Sequence, residues 1–301
     1  MTEKSSPLPL PHLLLAFAIV AVWGTNFAVI KIALGHMPPL LFATLRFILA
    51  FLPAAFFLKR PAVPLAHLAA YGVLIGAGQF GLLYIAMEHS ISPGLASLVV
   101  QVQVFFTIGL AMAFAKERIR PFQIAALALA AAGLGIIVAH GGSDATPLGL
   151  GLTLVAALCW AAGNLIARAS PQVSMLAYVV WSSLFAVPPL LALSLLFEGW
   201  PAIETGLRSA GAATWAAVLY QSIGNTLFGY GSWAYLLSRY PAATVTPFAL
   251  LVPVFGMGTS ALVMGEPLPS WKLGAAALVL GGLAVNLAWP RLRLVFAAPN
   301  V

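Results

Sequence analysis

Polar amides standing next to large aromatics inside long apolar runs are the residues of this chain best suited to chemistry. Trp23 and Asn26 are three apart and share a face of a helix, and Trp160 and Asn164 are four apart in a later run. Gly76, Phe80 and Tyr84 follow one another at helical spacing, beside Gln79. Gln221, Asn225 and Gly229 do the same, followed by Tyr230. Ser97 and Gln101 share one face of a run, and Gln103 and Thr107 another. An indole offers a flat apolar surface with one donor, and an amide both donates and accepts. As a set these side chains suit a cavity for small, partly apolar solutes. The plain structural reading of each amide is a hydrogen bond between helices, worth about 0.6 kcal/mol on average.

Arg46 lies within an apolar run. It fits a partner for a substrate carboxylate, or an arginine snorkelling to headgroups or bonding backbone carbonyls. Lys31 lies nearer a run's end, where snorkelling is the simpler reading. Tyr178 and Trp181 fit an interfacial aromatic belt. No aspartate or glutamate falls within an apolar run, so ion coupling through a membrane carboxylate is disfavoured and uniport or exchange is expected. The five histidines sit in loops or at run ends, without metal spacing. The single cysteine, Cys159, excludes an internal disulfide. Neither a metal nor another cofactor is expected. Gly76, Gly78 and Gly81 match G-x-G-x-x-G but follow no strand, and the glycines at 72 and 76 better serve close helix approach. Ser232, between Gly231 and Trp233, makes no nucleophile elbow.

The elements that must hold these groups are membrane helices. Of 301 residues, 62% are hydrophobic and 7% charged, against about 25% charged in soluble domains. The mean hydropathy is +1.02. That excludes a water-soluble enzyme, a nucleic-acid-binding module and a disordered chain. The net charge of +7 is scattered beside apolar runs rather than gathered in a stripe, so no nucleic-acid partner is expected. Loop signals divide the chain into ten spans, at 13–34, 39–58, 67–87, 91–115, 121–139, 147–167, 173–197, 212–237, 241–264 and 271–289. Lys4 and the small residues Ala16 and Ala18 would also fit a signal peptide, but the first span has a later counterpart. With the N-terminus cytoplasmic, Lys4, Lys59, Arg60, Lys116, Arg118, Arg120, Arg168, Arg239, Arg291 and Arg293 lie inside. Lys31, Arg208 and Lys272 lie outside, so both termini are expected in the cytoplasm.

The chain also repeats itself. An offset of 150 pairs Val104-Phe105 with Val254-Phe255 and Phe80-Gly81 with Tyr230-Gly231. A one-residue gap then pairs Glu117 with Glu266 and Gly133-Leu134 with Gly282-Leu283. Trp23 and Asn26 resemble Trp160 and Asn164. The unit holds five spans, and an odd number inverts the second copy. The expected fold is an all-α integral membrane protein of ten transmembrane helices, built as two inverted five-helix repeats. The repeats cover 1–140 and 147–301, and together they form one functional unit.

Trp23-Gly24-Thr25-Asn26-Phe27, Arg46-Phe47, Glu117, Glu266 and the late Gly-Leu pairs, taken in that order, carry a family resemblance. The chain resembles EamA-like transporters of the drug/metabolite transporter superfamily, in feel nearest to bacterial exporters of aromatic and neutral amino acids. The family commonly has a proline within the fourth span. Pro253 matches it in the ninth, while the fourth carries Gln103. The resemblance implies a multi-pass inner-membrane metabolite exporter, not an enzyme, with its cavity between the halves. Candidate substrate-binding residues are Trp23, Asn26, Arg46, Gln79, Phe80, Tyr84, Gln101, Trp160, Asn164, Gln221, Asn225 and Tyr230. The expected partners are a small metabolite and the bilayer, the chain acting as a monomer or weak homodimer. A nucleotide-sugar or sugar-phosphate antiporter is an alternative that would call for more cavity cations than Arg46 and Lys31. An intramembrane enzyme or a non-transporting receptor is the alternative of another class.

Overall fold

In the computed structural model, residues 8–115, 120–140, 142–170, 173–240 and 242–296 are described. Glu117 and the neighbouring Lys116, Arg118 and Ile119 lie outside them, as does Lys4. All regular structure among the described residues is helical, and the protein is an all-α membrane protein. In chain order the helices are α1 (Leu10–Leu34), α2 (Pro39–Ala55), α3 (Leu65–His89), α4 (93–115), α5 (Pro121–His140) and α6 (Pro147–Ala169). They continue with α7 (175–198), α8 (Gly199–Ser209), α9 (212–239), α10 (242–264) and α11 (Ser270–Phe296).

Local chemistry sets many of the boundaries. Pro39, Pro93, Pro121 and Pro147 open helices, where a missing N–H costs nothing and φ is already helical. Thr146 caps α6 by accepting from Gly149 N at 3.1 Å. Eight helical stretches are long and apolar enough to cross a membrane. The other two expected spans differ. Helix α2 is apolar but has only 17 residues, ending shortly after Pro53 rather than at 58. Helix α9 carries Gln221, Ser222, Asn225 and Thr226, which lower its hydropathy.

Residues 198–211, expected as a loop, hold α8 instead. Gly199 has φ of 79°, a left-handed conformation open to glycine, and it ends α7 and turns the chain. Helix α8 buries Ile203 and Gly206 and exposes Trp200 and Leu207.

Helices α3 and α9 share an unusual feature. Both pass through π-helical stretches, at Leu74–Gly81 and Tyr220–Tyr230. Such wide turns frequently mark functional sites, and these carry Gln79, Phe80, Gln221, Asn225 and Tyr230.

Lipid supplies no hydrophobic drive for helix association, so small residues and close packing must hold the bundle. A Cβ on Gly133 of α5 would lie 2.9 Å from the Ala275 carbonyl oxygen of α11. One on Gly282 of α11 would lie 2.5 Å from that of Ala126. The two contacts are reciprocal, since 126 and 133 shifted by 149 are 275 and 282. A second reciprocal pair links other helices. Gly72 of α3 abuts the Ser182 carbonyl of α7, and Ser222 of α9 donates to the Arg46 carbonyl of α2 at 3.0 Å. Gly76 likewise abuts Ala186.

Candidate functional site

Helices α1, α3, α4, α6, α9, α10 and α11 enclose a cavity of about 480 Å³. Trp23, Asn26, Gln79, Phe80, Gln101, Trp160, Asn164, Asn225 and Tyr230 all lie on its wall. Its lining reaches Met175 at the start of α7 and Leu237, Asn286 and Leu287 in the later parts of α9 and α11. The cavity therefore extends toward the end of the bundle where those segments lie. The described residues that line it carry no formal charge: amides, aromatics, aliphatics, Met175 and one threonine. A wall of this kind accommodates a solute with an apolar body and a few hydrogen-bonding groups.

The sequence left part of the wall unseen. Trp233, Thr246 and Asn286 line the cavity, and so does Gln103, which accepts from Asn164 Nδ2 at 3.1 Å. Asn286, an amide late in an apolar span, was the signal available in the last helix. Trp23 is held by Tyr230 and Trp233, with ring centroids at 5.6 and 5.2 Å, and donates to the Asn225 carbonyl at 3.3 Å.

Tyr84, Gln221 and Arg46 do not reach the wall. They form a buried polar chain beside it. Gln221 donates to Asn26 Oδ1, and Tyr84 donates to Gln221 Oε1 at 3.2 Å. Arg46 donates to the Tyr84 hydroxyl at 2.8 Å and to Thr226 Oγ1 at 3.4 Å. The arginine is 1% exposed, which overturns snorkelling. Lys31 is half-buried and has protein partners at a helix end. Its ammonium donates to the Met87 and Glu88 carbonyls at 2.9 and 2.6 Å, closing the C-terminus of α3 where a cation complements the helix dipole. Tyr178 is buried edge-on against Tyr71, and Trp181 donates to the Leu58 carbonyl at 2.9 Å.

The carboxylates serve the helix ends. Glu198 accepts from Leu40 and Leu41 N–H at 2.6 and 3.1 Å, at the start of α2. Glu266 accepts from Ser92 Oγ at 2.6 Å and Gly94 N at 3.0 Å, at the start of α4, and from Ser260. Lys272, 0% exposed, bridges Glu266 at 2.8 Å and Asp144 at 3.0 Å. This network ties α4, α10, α11 and the α5–α6 connection together, at the ends of those helices away from the Leu237 and Leu287 opening. Burial pushes the Glu266 carboxyl up, but hydrogen bonds from Lys272, Ser260, Ser92 and the Gly94 amide outweigh it, and the net position is below the usual carboxylate range.

Comparison with known proteins follows the same outline. The EamA-like transporter family matches residues 10–139 and again residues 147–288. The chain is 42% identical over 285 residues to a protein of Salmonella typhimurium (strain LT2) named "Probable amino-acid metabolite efflux pump", covering 93% of this chain and 95% of that one. A protein of Escherichia coli (strain K12) with the same name is 39% identical over 91% of this chain and 93% of its own. A "Probable terminal-alkyne amino-acid exporter" of Streptantibioticus cattleyicolor is 28% identical over 73% of this chain and 69% of its own. A solved crystal structure shares the fold with a TM-score of 0.62 at 20% identity, covering 94% of this chain and 98% of the other.

Proposed function

The chain belongs to the EamA-like transporter family, and we propose that it exports amino acids or closely related metabolites across a bacterial inner membrane by alternating access. The observation that carries this reading is the uncharged, amide-and-indole-lined cavity. The two relatives named as amino-acid metabolite efflux pumps, which align along nearly the whole chain, support it. So does an Escherichia coli relative, 27% identical, named as an inner membrane transporter. Among the described residues no lysine or arginine lines the cavity, which argues against a nucleotide-sugar or sugar-phosphate cargo.

The proposed architecture is ten transmembrane helices in two inverted five-helix halves, 1–140 and 147–301. Helices α1 to α5 form one half, α6, α7, α9, α10 and α11 the other. The reciprocal contacts across α5–α11 and across the α3–α7 and α2–α9 pairs support a pseudo-two-fold relation. The two family matches, one on each half, support it as well. Both termini are cytoplasmic in this scheme, because basic residues gather on that side. The cavity then extends toward the cytoplasm, and the Glu266–Lys272 network seals the outer end. In a Cys159→Ser background, a membrane-impermeant maleimide added to intact cells should label Gly211→Cys and leave Arg120→Cys unlabelled. The reverse pattern would overturn the orientation.

Transport is proposed as uniport or exchange. None of the described carboxylates lines the cavity, which supports a solute route without a coupling carboxylate. Purified protein in liposomes should carry neutral and aromatic amino acids down their gradients, and flux should persist after the proton and sodium gradients are collapsed. Absence of flux for every amino acid tested would sink the export reading, whereas flux lost only on collapse would sink the uncoupled one.

A further inference from the structure

Arginine stays protonated in proteins, so Arg46 brings a fixed positive charge into the bundle. Among the described residues no carboxylate pairs with it. Its hydrogen-bond partners are the neutral hydroxyls of Tyr84 and Thr226, and its Nε has no partner. The guanidinium carbon sits 3.7 Å from the centroid of the Phe80 ring. A buried charge without a counter-charge is costly. In a membrane interior it marks a site where something else supplies the charge. Phe80 lines the cavity while Arg46 does not, so the ring separates the guanidinium from the solute space.

A second orphan stands one residue before Phe80. Gln79, the residue before Phe80, lines the cavity and is 4% exposed, and its Oε1 has no hydrogen-bond partner. Unused donor capacity on Arg46, which lies against the Phe80 ring, and unused acceptor capacity on Gln79, the residue before Phe80 in the chain, therefore meet on one stretch of α3. A free amino acid carries the complement, a carboxylate that only accepts and an ammonium that only donates.

We propose that this corner of the cavity is a zwitterion subsite. The substrate's α-carboxylate docks on Arg46, its α-ammonium on the Gln79 carbonyl, and its side chain lies toward Trp23 and Trp160. The assignment rests on the export reading above. Rotation of the Phe80 ring uncovers the guanidinium, and the π-helical turn Leu74–Gly81 that carries Gln79 and Phe80 accommodates the shift. The site is single and asymmetric. The reciprocal contact of Gly72 and Ser222 pairs Arg46 with Ser182 in the other half, and a serine carries no charge.

The test uses the full chain in liposomes, with labelled phenylalanine as cargo. Unlabelled phenylalanine, phenylalaninamide (no carboxylate) and N-acetylphenylalanine (no ammonium) serve as competitors. In wild type, phenylalanine should compete at concentrations about ten- to a hundredfold lower than either derivative, the range that a charge-assisted hydrogen bond supplies. Arg46→Met should bring the ratio of amide to acid near one and keep discrimination against the N-acetyl compound. Gln79→Leu should do the reverse, and Arg46→Lys should retain part of the preference for the acid. Thermal unfolding in detergent, with and without each compound, reports folding and binding independently of transport. A folded Arg46→Met protein with the wild-type ratio overturns the proposal. If Arg46→Met does not fold, a wild-type ratio near one, or unchanged discrimination against the N-acetyl compound in Gln79→Leu, overturns it instead. Failure of the export reading looks different: no amino acid is carried, while the ligand-induced stabilisation of wild type still reads the subsite.

Discussion

Replacing Lys272 by methionine is expected to destabilise the protein by about 3–5 kcal/mol, the usual cost of stranding one partner of a buried ion pair. Lys272 is fully buried, and its loss leaves Glu266 and Asp144 without their cation. Methionine conserves the length and apolar stem of the side chain, so a cavity does not explain the loss. Thermal unfolding in detergent reads the effect. The double variant Lys272→Met, Glu266→Gln should recover part of it, because one stranded charge is gone. The pH dependence has a definite sign. The folded pKa of Glu266 is lowered from its ordinary 4.5. Its contribution is therefore present above that value and is lost as the pH falls through the folded pKa. The gap between wild type and Lys272→Met should be wide at neutral pH and narrow in strong acid. An unfolding temperature unmoved by the single substitution would mean that the pair is not held in the membrane-embedded protein.

The second large effect is expected at the cavity wall. Trp160→Ala should weaken transport of aromatic amino acids roughly thirtyfold, about 2 kcal/mol of lost contact, and small neutral amino acids much less. Trp160 is half-buried and lines the cavity, so its indole has a face to offer a solute. Asn164→Ala removes the donor to Gln103 Oε1 and should lower rates for both solutes, since an amide does not distinguish their side chains. Competition in liposomes between phenylalanine and alanine separates the two outcomes. Folded variants that keep wild-type rates and preference for both solutes would remove this face from the transport route.

Trp23, Asn26, Trp160 and Asn164 were legible in the sequence because an amide in an apolar run stands out and helical spacing assigns its face. Helix α8 was not, because its signal is a short amphipathic stretch with ordinary polarity, and Gly199 reads as a plain loop residue until its φ is known. Helical spacing puts Gln103 on a face with Thr107, but which face of α4 turns inward depends on α6.

By itself the sequence determined the class of the protein, most of its membrane-length helices and several of the amides and indoles that line the cavity, Trp23, Asn26, Trp160 and Asn164 among them. These follow from composition and local periodicity, which act within one helix or along one stretch of chain. Only the tertiary structure decided what Arg46, Lys272 and Glu266 do. Each is a single charged residue whose meaning depends on partners far away in the chain: Tyr84 and Thr226 for the arginine, Asp144 for the lysine, Ser92 and Gly94 for the glutamate. In a low-dielectric interior the partner sets whether a charge is a strut, a cap or an unmet demand for a ligand, and partner choice is a property of helix packing.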